Sequence, residues 1–266
     1  MRTRIIIFFS TLFLAGSLIA LPLTRFVANR VAIQNTAPPQ ESSVPISEEH
    51  HHHLVLANSF MQAYEVEVPP HDSTLLHRHD QDYVYIVFGY ADITNAVENK
   101  EPVKAHLTDT MVNFAKGPFA HVARDDGNTI FRNITVQLLQ PQGELKTYFP
   151  SVTAALDAAE KEPNNIHVRH MKGATEVVIL ETAEMRALAV NVKPGAAWTA
   201  VNSEHTFLAV WIDRWRERLH PGKPNAEIFP IQMETWFAPS GETSIRDSLS
   251  APMNIFLLEF KNDNQN

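Results

Sequence analysis

The sequence predicts an all-β protein of two tandem β units joined by one short helix. Three observations predict it. From Phe60 onward, short apolar runs alternate at period two and are cut by turn residues. One alanine-rich stretch, SVTAALDAAEKE after Pro150, has helix-forming composition. The strand-rich stretches before and after it can be laid on each other at a nearly constant offset.

The 266 residues are 44% hydrophobic, enough to bury a core and to exclude a wholly disordered chain. Twenty-two Lys+Arg against 30 Asp+Glu give a net charge of -8, so nothing in the global balance draws the chain to phosphate backbones. Cysteine is absent, which excludes disulfides, thiolate zinc sites, cysteine-ligated clusters and cysteine nucleophiles. A metal must therefore be held by His, Asp or Glu, and the 13 histidines are the feature to follow.

Arg2 and Arg4 precede an uncharged apolar stretch from Ile5 to Leu23, which reads as an export signal over residues 1–28. Its length lies between a cleavable signal and a spanning helix, so cleavage and retention as a membrane anchor both fit. Either version places the rest of the chain outside the cytoplasm, in the periplasm or tethered to the outer side of the membrane. Residues 29–53 read as a tether, because TAPPQESSVPIS is rich in Pro and Ser. The tether ends in the run His50 to His53, which reads as a solvated polar tract, the alternative being a loose gatherer of metal outside the cytoplasm.

Residues 54–150 form the first β unit, with strands in FMQAYEVEV, YVYIVF, ADITNAV, TMVNFA, FAHVA and TIFRNITVQLL. Residues 151–165 form the linking helix. Residues 166–266 form the second unit, with strands in TEVVIL, ALAVNV, FLAVWI, METWFA and MNIFLLEF. Val66, Val68 and Pro70 match Val190, Val192 and Pro194, each 124 residues on, and VYIVF at Val84 matches LAVWI at Leu208 with the same offset. Phe114-Ala115 match Phe237-Ala238 at 123. These landmarks indicate a tandem duplication.

His77 and His79 sit in HRH ahead of the strand YVYIVF, and residues i and i+2 of a strand point to one face, so their imidazoles project together. A third donor must come from elsewhere. His121, in KGPFAH after a Gly-Pro turn, could be brought opposite by a rolled sheet. Three imidazoles, with or without a carboxylate, suit a divalent transition metal such as Fe, Mn, Zn, Ni, Cu or Co, and the spacing does not choose among them.

The run HRHDQDYVYIVFG, from His77 and His79 to Gly89, resembles the first motif of the cupins, small β-barrels of the jelly-roll kind. KGPFAH, in which Gly117 and Pro118 lead to His121, resembles their second motif. The resemblance implies two tandem jelly-roll barrels, metal ligation by His77, His79 and His121, and Gly89 and Gly117 in strand-connecting turns. The family's glutamate slot falls on Asp82 or on Tyr83, according to how the residues after His79 are counted. Asp82 is thus a candidate fourth ligand, and a site of three histidines alone is also a cupin arrangement. Asp125 stands where the second motif has its trailing asparagine.

Applied to the second unit, the offset of 124 sends His77 to Val201, His79 to Ser203 and Asp82 to Thr206, and the offset of 123 sends His121 to Ser244. None can replace an imidazole, so the second unit is expected to keep its strands without a site. His205 and Glu204 are out of register and read as surface residues. Arg214, Arg216 and Arg218, near Trp211 and Trp215, read as a soluble edge or an anion clamp. Asn133-Ile134-Thr135 matches a glycosylation triplet but falls on an interior strand.

These readings point to an exported protein binding one divalent metal, acting as a metal-dependent enzyme (a dioxygenase, isomerase or similar) on a small molecule, with Asp82, Tyr83 and His71 as candidate proton carriers. The alternative is a non-catalytic module that captures a sugar or other small molecule outside the cell. The partners that fit are a small-molecule ligand or substrate and a second copy of the chain in a homo-oligomer, with no nucleic acid.

Overall fold

A computed structural model of the chain describes residues 42–199, 205–212, 244–246 and 252–261. The first half runs through β1 (Val44–Pro45), a 3-10 turn at Ile46–Glu48, β2 (His52–Ala57), β3 (Met61–Val68), β4 (His77–His79), β5 (Tyr83–Phe88), β6 (Ala91–Val97), β7 (Val103–Leu107), β8 (Val112–Ala115), β9 (Phe119–Asp125) and β10 (Phe131–Leu138). After β11 (Lys146–Thr147) and α1 (Val152–Lys161) come β12 (Val168–Met171), β13 (Ala174–Glu181), β14 (Met185–Val192), β15 (Ala197–Thr199), β16 (Thr206–Trp211), β17 (Ser244–Arg246) and β18 (Met253–Phe260).

The first half folds into two five-stranded sheets, in the orders β1-β4-β9-β6-β7 and β2-β3-β10-β5-β8. Between them lies a core of Ile46, Tyr64, Val66, Val68, Val87, Ala91, Ile93, Leu107 and Phe131, contributed by strands of both sheets. Period-two alternation sends the other residues of the second sheet to its back: Met61 and Ala63 from β3, Val84 and Ile86 from β5, Ile134 and Val136 from β10. That sheet is buried on both faces, which explains why YVYIVF and its partners read as nearly continuous apolar runs.

The back face packs against the second half. Its main sheet, β11-β13-β14-β18-β16 with β12 beside β13, contributes Met185, Ala187, Leu208, Val210, Phe256 and Leu258 to the same core. The helix α1 closes one side of this layer through Val152, Ala155 and Ala159. It begins at Ser151, whose Oγ accepts the amide N–H of Ala154 at 3.0 Å.

The duplication appears in the strand registers. Met61 pairs with Leu138 as Met185 pairs with Phe260, and Tyr83 pairs with Gln137 as Phe207 pairs with Glu259. The offset is thus 124 for the strand pair β3 and β14 and for β5 and β16, and it shortens to 122 from β10 to β18. The β15–β17 ladder sets Thr199 opposite Ser244, as β4–β9 sets His77 opposite His121. This register moves the counterpart of His77 two places back from the Val201 assignment.

The tether ends sooner than its composition indicates. Val44 and Pro45 pair in parallel with His77 and Arg78, Ile46 is buried, and His52 opens β2 opposite Val66. Residues 44–53 therefore belong to the first unit. The apolar segment 1–28, the first part of the tether, Val201, Ser203, Glu204, Arg214, Trp215, Arg216, Arg218 and the strand METWFA lie outside the described residues.

Candidate metal centre

The centre is assembled by strand register. In the β4–β9 ladder His77 lies opposite His121 and His79 opposite Phe119, while Arg78 turns outward to Asp80. Alternation thus puts His77 and His79 inside, at 0% and 1% exposure, with His121 beside them. Nε2 of His79 lies 3.2 Å from Nε2 of His77 and 3.2 Å from Nε2 of His121. The structure brings the three sequence-predicted imidazoles together, nitrogen to nitrogen.

The histidine run adds a fourth, which overturns its reading as a solvated tract. His52 lines the same cavity, its ring 4.6 Å from that of His77, and a ring nitrogen of each of His52, His77 and His79 lies within 4.8 Å of the others. His51 is buried as well, with its Nε2 3.6 Å from Asp72 Oδ2. The missed signal was the hairpin: HHLVLA turns at Asn58, whose Oδ1 accepts the amides of Phe60 and Met61, into β3. In that register one histidine of the run faces inward.

The partners of the outer ring nitrogens fix the tautomers. His77 Nδ1 lies 3.0 Å from the Leu75 carbonyl, His121 Nδ1 lies 2.7 Å from Asn95 Oδ1, and His52 Nδ1 lies 2.5 Å from Glu49 Oε2. These oxygens only accept, so each Nδ1 carries the proton and each Nε2 presents a lone pair to the cavity. His79 is held differently, stacked on Tyr83 at 4.2 Å and on Phe119 at 5.5 Å, and its buried Nδ1 has no hydrogen-bond partner among the described residues.

Burial, reinforced by neighbouring imidazoles, pushes His77 down to about 4 and His121 down to about 3, and lowers His79 further. The rings stay neutral, which is the form that ligates. Glu49 shows the opposite balance. Its burial would raise the carboxyl, but the hydrogen bonds from His52 and from the amides of Leu75 and His51 outweigh it and hold Glu49 down at about 2. Neutral lone pairs crowded at 3.2 Å inside a barrel repel one another unless a cation or proton lies among them, so the donor set fits a divalent transition metal.

The cavity measures about 60 Å³ and is lined by His52, His77, His79 and His121 together with Tyr83, Tyr85, Asn95, Asn133, Thr135 and apolar side chains such as Val66, Ile93 and Phe131. Burial raises both tyrosine hydroxyls above their ordinary range. Asn133 is buried here, so the glycosylation triplet is interior.

Two candidates lie elsewhere. Asp82 is buried at the barrel end, where Oδ1 accepts the amide of Gly117, Oδ2 accepts that of Gln142, and Lys116 Nζ lies 3.2 Å from Oδ2. Its oxygens tie the β8–β9 turn to the turn before β5 and do not line the cavity. Gly117 has no room for a side chain, since a Cβ would meet the Gln81 carbonyl oxygen at 2.5 Å. His71 is exposed, with φ of 63°, beside Lys104 and Arg124. Neither lines the cavity. Asp125 closes the β9–β10 turn by accepting the amides of Gly127 and Phe131.

The second unit fills the equivalent space. In the matched registers Tyr83 becomes Phe207, Asn133 becomes Ile255 and Thr135 becomes Leu257. These pack with Leu188, Val190 and the fully buried Trp198, whose Nε1 donates to Glu176 at 2.7 Å. His205, expected at the surface, bonds the buried Glu259 at 2.7 Å.

No family model matches the sequence, and no curated protein matches it. Among solved structures, a cupin domain from Bordetella pertussis is similar at 20% identity, covering 33% of this chain and 90% of that one, with a TM-score of 0.31. A cupin family protein of double-stranded β-helix fold from Methanocaldococcus jannaschii is similar at 11% identity over 33% of this chain and 77% of that one, TM-score 0.29. An oxalate decarboxylase variant from Bacillus subtilis is similar at 12% identity over 78% of this chain and 70% of that one, TM-score 0.44. By its own strand orders and registers, the first half is a double-sheet jelly-roll arrangement with the histidines of β4 and β9 turned inward, the architecture that the resemblance of its motifs implies.

Proposed function

We propose that the chain is an exported metal-dependent enzyme that acts on a small molecule, with one divalent ion of Fe, Mn, Zn, Ni or Cu held by His77, His79 and His121. The observation that carries this is the convergence of three Nε2 atoms, two of them on rings whose Nδ1 protons are tied outward. Bound there, the metal would supply Lewis acidity or, if iron or copper, electron transfer. The barrel supplies the rest. Val66, Ile93 and Phe131 give the cavity an apolar wall beside the imidazoles. Asn133 and Thr135 offer polar groups for orientation. Tyr83, protonated because burial raises its hydroxyl, is suited to donate a hydrogen bond and not to act as a base near neutral pH.

A second reading, non-catalytic capture of a small molecule, is favoured by the lining itself. Among the described residues it contains no carboxylate, and the tyrosines are its only titratable groups besides the imidazoles. Fold alone does not select a reaction. The deciding experiment is metal analysis of the untagged protein combined with oxygen uptake on phenolic or thiol substrates. Iron or copper with turnover supports the enzyme. Ligand binding without turnover supports capture, and a folded, metal-free protein indifferent to added metal contradicts the proposal.

A further inference from the structure

Among the described residues the cavity holds no carboxylate in the slot that the cupin motif places after HxH, yet a buried carboxylate lies one residue further out. Glu49, 2% exposed, accepts His52 Nδ1 at 2.5 Å, the His51 amide at 2.9 Å and the Leu75 amide at 3.2 Å. Three donors on one buried side chain leave it a single orientation, and that orientation aims His52 at the cavity. With Nδ1 committed, Nε2 is the only donor atom His52 has left. Leu75 is also the residue whose carbonyl holds His77 Nδ1, so the backbone that anchors Glu49 anchors a second imidazole as well.

We propose that His52 is a fourth imidazole ligand and that Glu49 is its positioning residue. This rests on the metal reading above and adds to it a ligand that the HxH and KGPFAH motifs do not contain. A neutral four-nitrogen set leaves both charges of the ion uncompensated by any ligand. Glu49 offsets one of them through His52, strengthening its donor nitrogen as outer carboxylates do for ligating histidines. The ligand rides on β2, so the site is complete only when residues 44–57 are docked on β3 and β4.

The test uses the full chain with the exposed His50 and His53 changed to Ala, loaded with one equivalent of Zn(II). Zinc-edge X-ray absorption should count four imidazoles in this protein and three after His52→Gln, with zinc affinity lowered at least tenfold. Glu49→Gln should keep four imidazoles while weakening zinc by about 10- to 100-fold, a split that loss of packing alone would not produce. Three imidazoles before any change at His52, or an unchanged count and affinity after it, overturns the proposal. If His52→Gln does not fold, the count in the parent protein decides. His77→Ala with His79→Ala separates the two levels: zinc retained there defeats the metal reading itself, whereas zinc lost there with His52 inert defeats only this inference.

Discussion

His77 and His121 are direct cross-strand partners in the β4–β9 ladder, with ring centroids 4.5 Å apart, and each ties its Nδ1 to a different acceptor, the Leu75 carbonyl and Asn95 Oδ1. A ladder fixes register more firmly than a loop, because a one-residue slip of β4 against β9 would turn His77 and His79 out of the barrel and away from His121. The donor geometry is therefore built into the sheet.

The cluster makes the metal-free protein sensitive to acid. In the unfolded chain these histidines take up protons near pH 6.5, while in the folded barrel burial holds His77 at about 4 and His121 at about 3. The unfolded state thus binds more protons as pH falls, and stability present above about pH 6.5 is lost on descending toward 4. Glu49, held at about 2, adds a further loss below the ordinary glutamate range of about 4.5. Urea midpoints measured with a chelator present should fall steadily from pH 7 to 4.5, and less steeply in His121→Gln. A flat profile would contradict the assigned burial.

Asp82→Asn should cost stability and spare the metal. An asparagine presents an NH2 group to a neighbourhood of donors, the Gly117 and Gln142 amides and Lys116, where the carboxylate accepted. The expected cost is about 1–3 kcal/mol, or a melting temperature lower by several degrees, with metal content unchanged. Loss of metal from a fully folded variant would return Asp82 to the ligand set.

The second unit should hold no ion in its barrel. Trp198, Phe207, Ile255 and Leu257 occupy the space that Tyr83, Asn133 and Thr135 leave open in the first. Metal analysis of the His50→Ala, His53→Ala protein should therefore give one ion per chain. Two ions, with the second surviving His77→Ala and His79→Ala, would show a site that the registers do not.

The strands, the linking helix and the duplication were legible because each writes a local pattern: alternation on VYIVF and MNIFLLEF, alanines on α1, and an offset between registers that drifts by only two residues, from 124 to 122. HxH was legible for the same reason, since period two puts both rings on one face. His52 and Glu49 were not. A run of four histidines hides which one faces inward until β2 has a partner, and Glu49 acts through contacts with Leu75, far along the chain. Asp82 misled because motif spacing places a residue on the chain without saying which way its oxygens turn.

Export is a separate expectation, resting on Arg2, Arg4 and the apolar stretch behind them. Fractionation should find the protein in the periplasm if the segment is cut, or pelleting with membranes if it is retained and released by limited proteolysis between residues 30 and 41. The full-length chain in the cytosolic fraction would contradict both.

The most direct test of the metal centre is a calorimetric titration of chelator-stripped, full-length protein, carrying His50→Ala and His53→Ala, with Zn(II). One equivalent should bind, and binding should vanish when His77→Ala and His79→Ala are added, because the remaining inward imidazoles cannot hold an ion at useful affinity. An unchanged stoichiometry and affinity in that variant would contradict the account.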